Sequence, residues 1–210
     1  MVFPKRICID GNIGSGKDNV INVLKKNFNN NRTIFVPDNI NNWKNKEILE
    51  KFYKETEKYA FVFELKSTCD KINSISAINK QIVFLNKSWC SIKNIWVQSL
   101  YEAKFISELE YESYNKTYNL IKKPDIDLII YVRTPPVKCY ENIMQRDIKN
   151  EKDITLNFVK KLHDNHEKWI KETNIPVYIV NTEQYMSEDK MISDIFDIIP
   201  IFNKIYNKSV

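Results

Sequence analysis

The residues that first suggest chemistry are three glycines and a lysine near the amino terminus. Gly11, Gly14 and Gly16 are the only glycines among 210 residues, and Lys17 follows directly. Glycine permits positive φ angles and close approach to the main chain, so a chain that keeps its only glycines together needs one of these properties there. The spacing from Gly11 to Lys17 is typical of a phosphate-binding loop, or P-loop, whose backbone N–H groups surround a phosphate while the lysine reaches the terminal phosphates.

The flanking segments supply the context that a P-loop requires. A short apolar segment, residues 6–10, predicts a strand before the loop, and apolar residues recur on one helical face over residues 20–28. Asn12, Ile13 and Ser15 complete the loop between them. The order of strand, loop and helix therefore predicts a site for a nucleoside triphosphate.

One position departs from the usual P-loop pattern. Asp18 follows the lysine, where a Ser or Thr hydroxyl normally holds Mg²⁺. A carboxylate there could bind Mg²⁺ directly, or it could repel the phosphates. The sequence leaves both alternatives open.

The rest of the chain alternates between short strand-like runs and long helical patterns. Further strands are predicted at residues 33–36, 81–85, 127–132 and 176–180, and helices at 47–79, 89–104, 110–122, 135–149, 155–171 and 187–205. Within the second of these helices, Trp89 and Trp96 are expected on the buried face. The alternation predicts one α/β domain over residues 1–210, with a parallel sheet covered by helices on both faces.

Composition excludes several classes of protein. The formal net charge of +5 suits a phosphate-bearing ligand but does not argue for a nucleic-acid groove, and no apolar run is long enough to span a membrane. The four cysteines have no metal-binding spacing, and we expect reduced thiols in a cytoplasmic protein. The amino terminus shows no signal-peptide pattern.

Three segments, in this order, resemble the deoxynucleoside kinases, P-loop enzymes that phosphorylate the 5′-hydroxyl of deoxynucleosides. They are ICIDGNIGSGK at residues 7–17, DLIIYVRTPP at residues 127–136 and LHDNHEKW at residues 162–169. The resemblance implies a five-stranded parallel sheet, a homodimer, ATP or another nucleoside triphosphate as phosphate donor, and Mg²⁺. It also implies a lid at about residues 146–154.

The resemblance assigns a catalytic base and sugar contacts. Asp38 stands where the family has a glutamate base, so the carboxylate arm is one methylene shorter. Trp43 matches a residue that packs against the nucleoside, although a core tryptophan is an equal alternative. Tyr53 and Glu151 match residues that contact the sugar 3′-hydroxyl.

The nucleobase pocket carries a substitution. Phe63 and Glu64 fall on a Phe-Gln pair of the family, whose glutamine reads the base edge. An ionised glutamate only accepts hydrogen bonds, whereas glutamine also donates. On this reasoning we expect a shift toward deoxyguanosine, whose N1–H and N2–H₂ groups both donate.

The residues expected to bind the transferred phosphate, here called the phosphate clamp, differ from those of the family in several places. The family's Glu-Arg-Ser segment reads Asn86-Lys87-Ser88 here, which removes a magnesium-binding carboxylate and replaces an arginine with Lys87. A second arginine becomes Lys93, which we expect to keep positive charge at the clamp. In the lid, Arg146 matches one phosphate-binding arginine, and Ile148 replaces the next.

These departures leave three functions open. Asp18 could compensate for the missing carboxylate, which gives an active deoxynucleoside kinase, and the intact glycines and Lys17 favour this alternative. A catalytically impaired copy could instead serve as a nucleotide-binding or assembly module with a protein partner. A nucleoside monophosphate kinase would need an arginine cluster, yet beyond Arg6 the chain has only Arg32, Arg133 and Arg146.

Overall fold

The structure is a computed structural model that describes residues 5–28, 30–38, 47–148, 151 and 153–182. Trp43 and the predicted helix at residues 187–205 lie outside these ranges, and so do residues 149, 150 and 152 of the predicted lid.

Five parallel strands form one sheet, which confirms the predicted fold class. The spatial order is β2-β3-β1-β4-β5, and every neighbouring pair is parallel. The strands are β1 (Lys5–Gly11), β2 (Thr33–Val36), β3 (Ile82–Asn86), β4 (Leu128–Arg133) and β5 (Val177–Asn181). Each observed strand lies within one residue of its predicted position at either end.

Seven helical segments connect the described strands. They are α1 (Lys17–Asn27), α2 (Glu47–Lys54), α3 (Thr56–Ser76), α4 (Trp89–Ser91, Ile92–Val97 and Gln98–Glu102 in continuous succession), α5 (Glu108–Leu120), α6 (Pro136–Gln145) and α7 (Leu156–Glu172). The middle part of α4, Ile92–Val97, is a π-helix.

Several helix boundaries differ from the sequence prediction; α6, for example, ends at Gln145 rather than at residue 149. The predicted helix at residues 47–79 is two helices, because Glu55 adopts non-helical angles (φ −136°, ψ 60°). Helix α5 begins before the predicted residue 110, because the Ser107 hydroxyl accepts from the Glu110 N–H and the Glu110 carboxylate accepts from the Ser107 N–H.

The core lies in layers on the two faces of the sheet. Along β1, Ile7 and Ile9 pack with α1 on one face, while Cys8 packs toward the cluster of α3 and α4 on the other. This alternation follows from the two-residue period of a strand that is buried on both faces. Because all strands are parallel, their carboxyl ends meet at one edge, where ligands bind in open α/β sheets. Among the described residues, no helix combines the length and apolar character that crossing a membrane would require.

Candidate active site

A cavity of about 500 Å³ opens at the carboxyl edge of the sheet. The predicted site residues that line it are Lys17, Asp18, Asp38, Tyr53, Phe63, Glu64, Lys87, Arg146 and Glu151, together with Ile13 of the loop. They come from α1, the ends of β2 and β3, α2, α3 and the segment predicted to form the lid. The fold therefore brings together residues that lie more than 130 positions apart in sequence.

The three glycines meet different geometric demands in the P-loop. Gly14 and Gly16 have positive φ angles of 74° and 81°. A Cβ on Gly11 would lie 2.7 Å from both the Ser15 Oγ and the Val132 carbonyl oxygen, whereas a Cβ on Gly16 would meet nothing within 4 Å. Gly11 thus permits close packing, and Gly16 gives the loop its left-handed turn beside open space.

Side chains from three elements hold the P-loop in place. The Asn12 Nδ2 donates to the Val159 carbonyl at 2.9 Å, and the Asn142 Nδ2 donates to the Gly14 carbonyl at 2.8 Å. The Thr134 hydroxyl donates to the Ser15 carbonyl at 2.8 Å. The Asn12 side chain is thus occupied within the protein, and its Oδ1 also accepts from the Ile13 N–H at 2.8 Å.

A buried acid and histidine lie beneath the loop. The Asp10 Oδ1 accepts from the Gly11 N–H at 2.8 Å and lies 3.5 Å from the His166 Nε2. His166 also stacks on Tyr131, with ring centroids 5.6 Å apart. Burial would raise the pKa of Asp10, but hydrogen bonding and charge from His166 lower it below its ordinary value. An ionised carboxylate therefore anchors the first residue of the loop.

Asp38 lies in a cluster of lysines. Its Oδ2 is 3.3 Å from the Lys87 Nζ, and its Oδ1 is 3.9 Å from the Lys71 Nζ. Burial would raise the pKa of Asp38, but Lys87, Lys71 and Lys17 together lower it below its ordinary value. Asp38 is therefore an ionised carboxylate at neutral pH, in the form that can accept a proton.

Lys87 is positioned by an unusual backbone conformation. Its φ of 60° lies in the left-handed region, directly before the Ser88 cap of α4. Such a conformation costs about 1–3 kcal/mol in a residue with a side chain and is concentrated at functional sites. The Lys87 Nζ lies 4.0 Å from the centre of the Trp96 ring, in addition to its ion pair with Asp38.

Two residues near Asp38 and Lys87 have roles that the sequence analysis did not predict. Lys71 is 1% exposed on α3, and its ammonium donates to the carbonyls of Pro37 (3.0 Å) and Asn86 (2.8 Å). Trp96 lines the cavity rather than only the core. The sequence gives no signal for Lys71 beyond a lysine within an apolar helical face, and the π-helix that orients Trp96 has no sequence signature.

Lys93 does not join the phosphate clamp, contrary to the expectation. It is not among the residues that line the cavity, and its ammonium lies 4.8 Å from the centre of the Tyr118 ring. Lys93 follows Lys87 by less than two helical turns, but α4 directs it toward α5. Among the described lysines, Lys17, Lys25 and Lys87 are the ones that line the cavity.

Glu64 differs from the expectation of an ionised, acceptor-only group. It is 3% exposed, and burial raises its pKa to about 8, with Lys87 lowering and Asp38 raising it. The neighbouring Phe63 is buried and stacks on Phe52, with centroids 4.3 Å apart. Glu64 is thus mainly a neutral carboxylic acid at pH 7, which removes the physical basis of the expected shift toward deoxyguanosine.

The segment predicted to form the lid also contributes charged side chains to the cavity. Arg146 pairs with Glu151 at 2.7 Å, and Ile148 lines the cavity beside them. Partial burial raises the pKa of Tyr53 to about 12, with Glu151 raising and Arg146 lowering it. Tyr53 and Glu151 are thus neighbours, as two groups sharing one sugar hydroxyl would have to be.

The oxygen atoms near the P-loop could complete a magnesium shell. Asp18 lines the cavity, and the Asn86 Oδ1 is buried with no hydrogen-bond partner in the described part of the chain. Within that part, no three His, Cys, Asp or Glu side chains form a metal cluster. This donor set fits Mg²⁺, which commonly takes one or two protein oxygens and completes its shell with phosphates and water.

Comparisons with known proteins identify sequence relatives of this chain. A sequence model of the family described as deoxynucleoside kinase matches residues 7–204. A probable deoxycytidine kinase of fowlpox virus (strain NVSL) is 30% identical over 93% of this chain and 88% of its own length. The mitochondrial deoxyguanosine kinase of Xenopus laevis is 24% identical, over 90% and 86%. The deoxycytidine kinase of Homo sapiens is 25% identical, over 79% and 75%. The matched region includes every residue that lines the cavity.

Proposed function

The chain belongs to the deoxynucleoside kinase family, and we propose that it transfers the terminal phosphoryl group of ATP, bound with Mg²⁺, to the 5′-hydroxyl of a deoxynucleoside. The observation that carries this proposal is the shared cavity. A P-loop with Lys17 lines the same open space of about 500 Å³ as Asp38 and Glu64. A scaffold that had lost its ligands would have no need to keep that space open.

Asp38 is the proposed general base. Its carboxylate accepts the proton of the 5′-hydroxyl as that oxygen bonds to the terminal phosphorus, while the bond from this phosphorus to the bridging oxygen breaks. A base within about 3 Å of the proton typically contributes 10²–10⁴-fold to the rate. Lys87, paired with Asp38 at 3.3 Å, keeps the base ionised and adds positive charge near the reacting oxygens.

The P-loop and the cations around it are proposed to bind the phosphates. Bound MgATP supplies the phosphoryl group and neutralises its oxygens. The Gly11, Ile13 and Ser15 N–H groups already have partners within the protein. The proposed donors are therefore the remaining N–H groups of the loop and the amino terminus of α1, with Lys17 proposed to reach the terminal phosphates. Asp18 and the unpartnered Asn86 Oδ1 are the proposed magnesium ligands.

The acceptor is an uncharged nucleoside rather than a nucleoside monophosphate. Arg146 is the one arginine among the described residues that line the cavity, and Glu151 already neutralises it at 2.7 Å. A second phosphate would need more positive charge there. Tyr53 and Glu151 are instead suited to hydrogen bonds with the sugar 3′-hydroxyl, and Trp43 is proposed to pack against the nucleoside.

We also infer a homodimer and a cytoplasmic location. Helices α3 and α5 pack on each other, and α5 exposes Leu109 (74%) and Leu120 (87%), which are suited to burial against a second copy. All four cysteines are free thiols, as in a reducing compartment.

A transfer assay tests the proposed reaction. The protein is incubated with ATP labelled at the γ-phosphate, Mg²⁺ and each of the four deoxynucleosides, and labelled 5′-monophosphate is measured. Lys17→Ala is expected to abolish transfer, whereas Lys26→Ala, an exposed lysine on the same helix, should leave it intact. Binding of ATP by the wild type without any transfer would instead identify an impaired copy.

A further inference from the structure

Among the described residues that line the cavity, Glu64 is a buried acid for which no hydrogen-bond or ion-pair partner is found. Its side chain is 3% exposed and lines the cavity, so its carboxyl group faces the ligand space from the middle of α3. Within the described part of the chain it forms no hydrogen bond and no ion pair. Burying an ionised carboxylate without a partner is costly, and such groups usually become neutral instead.

The charged and titratable groups around Glu64 do not offset this cost. The charge of Lys87 lowers the pKa of Glu64, but this lysine already pairs with Asp38 at 3.3 Å and lies over the Trp96 ring. Asp38 is an anion and opposes a second negative charge nearby. Two tyrosines, Tyr53 of α2 and Tyr114 of α5, also lie close enough to Glu64 to interact with its charge.

The two tyrosines also supply no positive charge that could stabilise an ionised Glu64. Burial raises the pKa of both phenols, so they remain neutral over the working pH range. The pKa of Glu64, raised to about 8, has the direction that this environment requires.

Building on the proposed function, we propose that Glu64 meets the nucleobase as a neutral carboxylic acid, donating one hydrogen bond and accepting another, and thereby admits cytosine and adenine. Both bases present a ring-nitrogen acceptor beside an exocyclic amine. The acid O–H donates to the ring nitrogen, and the acid carbonyl accepts from the amine.

Ionisation of Glu64 changes which bases fit. A carboxylate has only acceptors, so it faces the ring nitrogen of cytosine or adenine with a lone pair and repels it. Guanine presents two adjacent donors, N1–H and N2–H₂, and fits the carboxylate. Glu64 thus makes base preference depend on pH. The pocket binds deoxycytidine and deoxyadenosine while the acid is neutral, and it favours deoxyguanosine once the acid ionises.

The test is the ratio of kcat/KM for deoxycytidine to that for deoxyguanosine, measured from about pH 6.5 to about pH 9, below the pH at which guanine loses its own N1–H proton. A ratio cancels pH effects on Asp38 and on the phosphate donor, which both substrates share. We expect the wild-type ratio to fall about tenfold per pH unit once the acid ionises. Glu64→Gln should remove this dependence, because an amide donates and accepts at every pH. Glu57→Gln, an exposed glutamate on the same helix, should behave as wild type.

Two outcomes would overturn the inference: a wild-type ratio that is constant with pH, or a Glu64→Gln ratio that still falls. If no deoxynucleoside is phosphorylated, the proposed function fails, and the same ratio is then taken from Kd values of the two deoxynucleosides by calorimetry. An infrared difference spectrum, wild type minus Glu64→Gln, gives an independent result. It should show a carboxylic-acid band at pH 6.5 that is replaced by carboxylate bands at pH 9.5, and carboxylate bands at both pH values would refute the neutral acid.

Discussion

At the scale of single residues, the charges around Asp38 control the proposed reaction. Three lysines lower its pKa, which keeps it ionised but also makes it a weaker base. A weak base suits phosphoryl transfer, in which positioning and charge stabilisation contribute more than proton removal. The shortened arm of Asp38 is tolerable on this view, because the Lys87 and Lys71 contacts fix where the carboxylate lies.

Replacing the base tests this role. Asp38→Asn keeps the size of the side chain but cannot accept the proton, so we expect kcat to fall about 10²–10⁴-fold. The KM for ATP should change little, since the P-loop is untouched. Asp164→Asn, an exposed residue of α7, serves as the control. Steady-state kinetics of both variants measure kcat and the KM for ATP. An unchanged kcat in Asp38→Asn would contradict the assignment.

Glu64 should also affect stability in a pH-dependent way. Its pKa is about 8 in the folded protein and has the ordinary value of 4.5 when unfolded, so the folded state binds more protons between these values. The free energy of unfolding contributed by Glu64 therefore falls as pH rises from about 5 to about 8. Urea unfolding of Glu64→Gln should show a shallower decline over this range than wild type, and parallel curves would rule out the raised pKa.

The sequence predicted some of these residues and not others. Lys17, Asp38 and Glu64 were identifiable because they lie in or near segments with a known pattern. The protonation of Glu64 and the burial of Lys71 depend on neighbours from distant segments, and no local pattern encodes them. Lys93 was misplaced for the same reason, since its direction depends on the π-helical turn of α4.

At the scale of elements, Lys71 links α3 to the carboxyl ends of two strands. Its ammonium joins the Pro37 carbonyl after β2 to the Asn86 carbonyl at the end of β3. These are the segments that carry Asp38 and Lys87. A single buried lysine thus sets the distance between the proposed base and its cation.

Removing Lys71 should therefore alter both stability and pH dependence. Lys71→Met leaves two buried carbonyls unpaired, at a cost of about 1–3 kcal/mol. It also removes a cation that lowers the pKa of Asp38, so the acidic limb of the kcat/KM profile should move to higher pH. Lys66→Met, a surface residue of the same helix paired with Asp70, should cost less than about 1 kcal/mol. Equal stability of the two variants, with superimposed pH profiles, would contradict this role.

At the scale of the whole molecule, the sheet order places the loop between its partners. Strand β1 lies in the centre, with β3 on one side and β4 on the other, so the P-loop after β1 has Lys87 on one flank and Thr134 on the other. The sequence predicted this architecture because parallel strands and helices leave strong periodic patterns. Strand order itself has no local signal and was not predicted from the sequence.

The exposed leucines of α5 lead to a prediction about assembly. Leu109 and Leu120 are eleven residues apart, about three helical turns, and so lie on one face. Light scattering should give a mass of twice 25.0 kDa. Leu109→Glu should shift this mass toward the monomer by placing a charge in the interface, while Val137→Glu on α6 should not. A monomeric wild type at micromolar concentration would refute the dimer.

The central claim is that one cavity holds the donor phosphates and the nucleoside side by side. Calorimetric titration of a bisubstrate analogue tests this directly, with adenosine and the preferred deoxynucleoside joined through their 5′ oxygens by a chain of phosphates. Because the second half binds intramolecularly, the analogue should bind about 10²–10⁴-fold more tightly than ATP or the deoxynucleoside alone. Lys17→Ala should weaken its binding. An analogue that binds wild type no more tightly than ATP would contradict the claim.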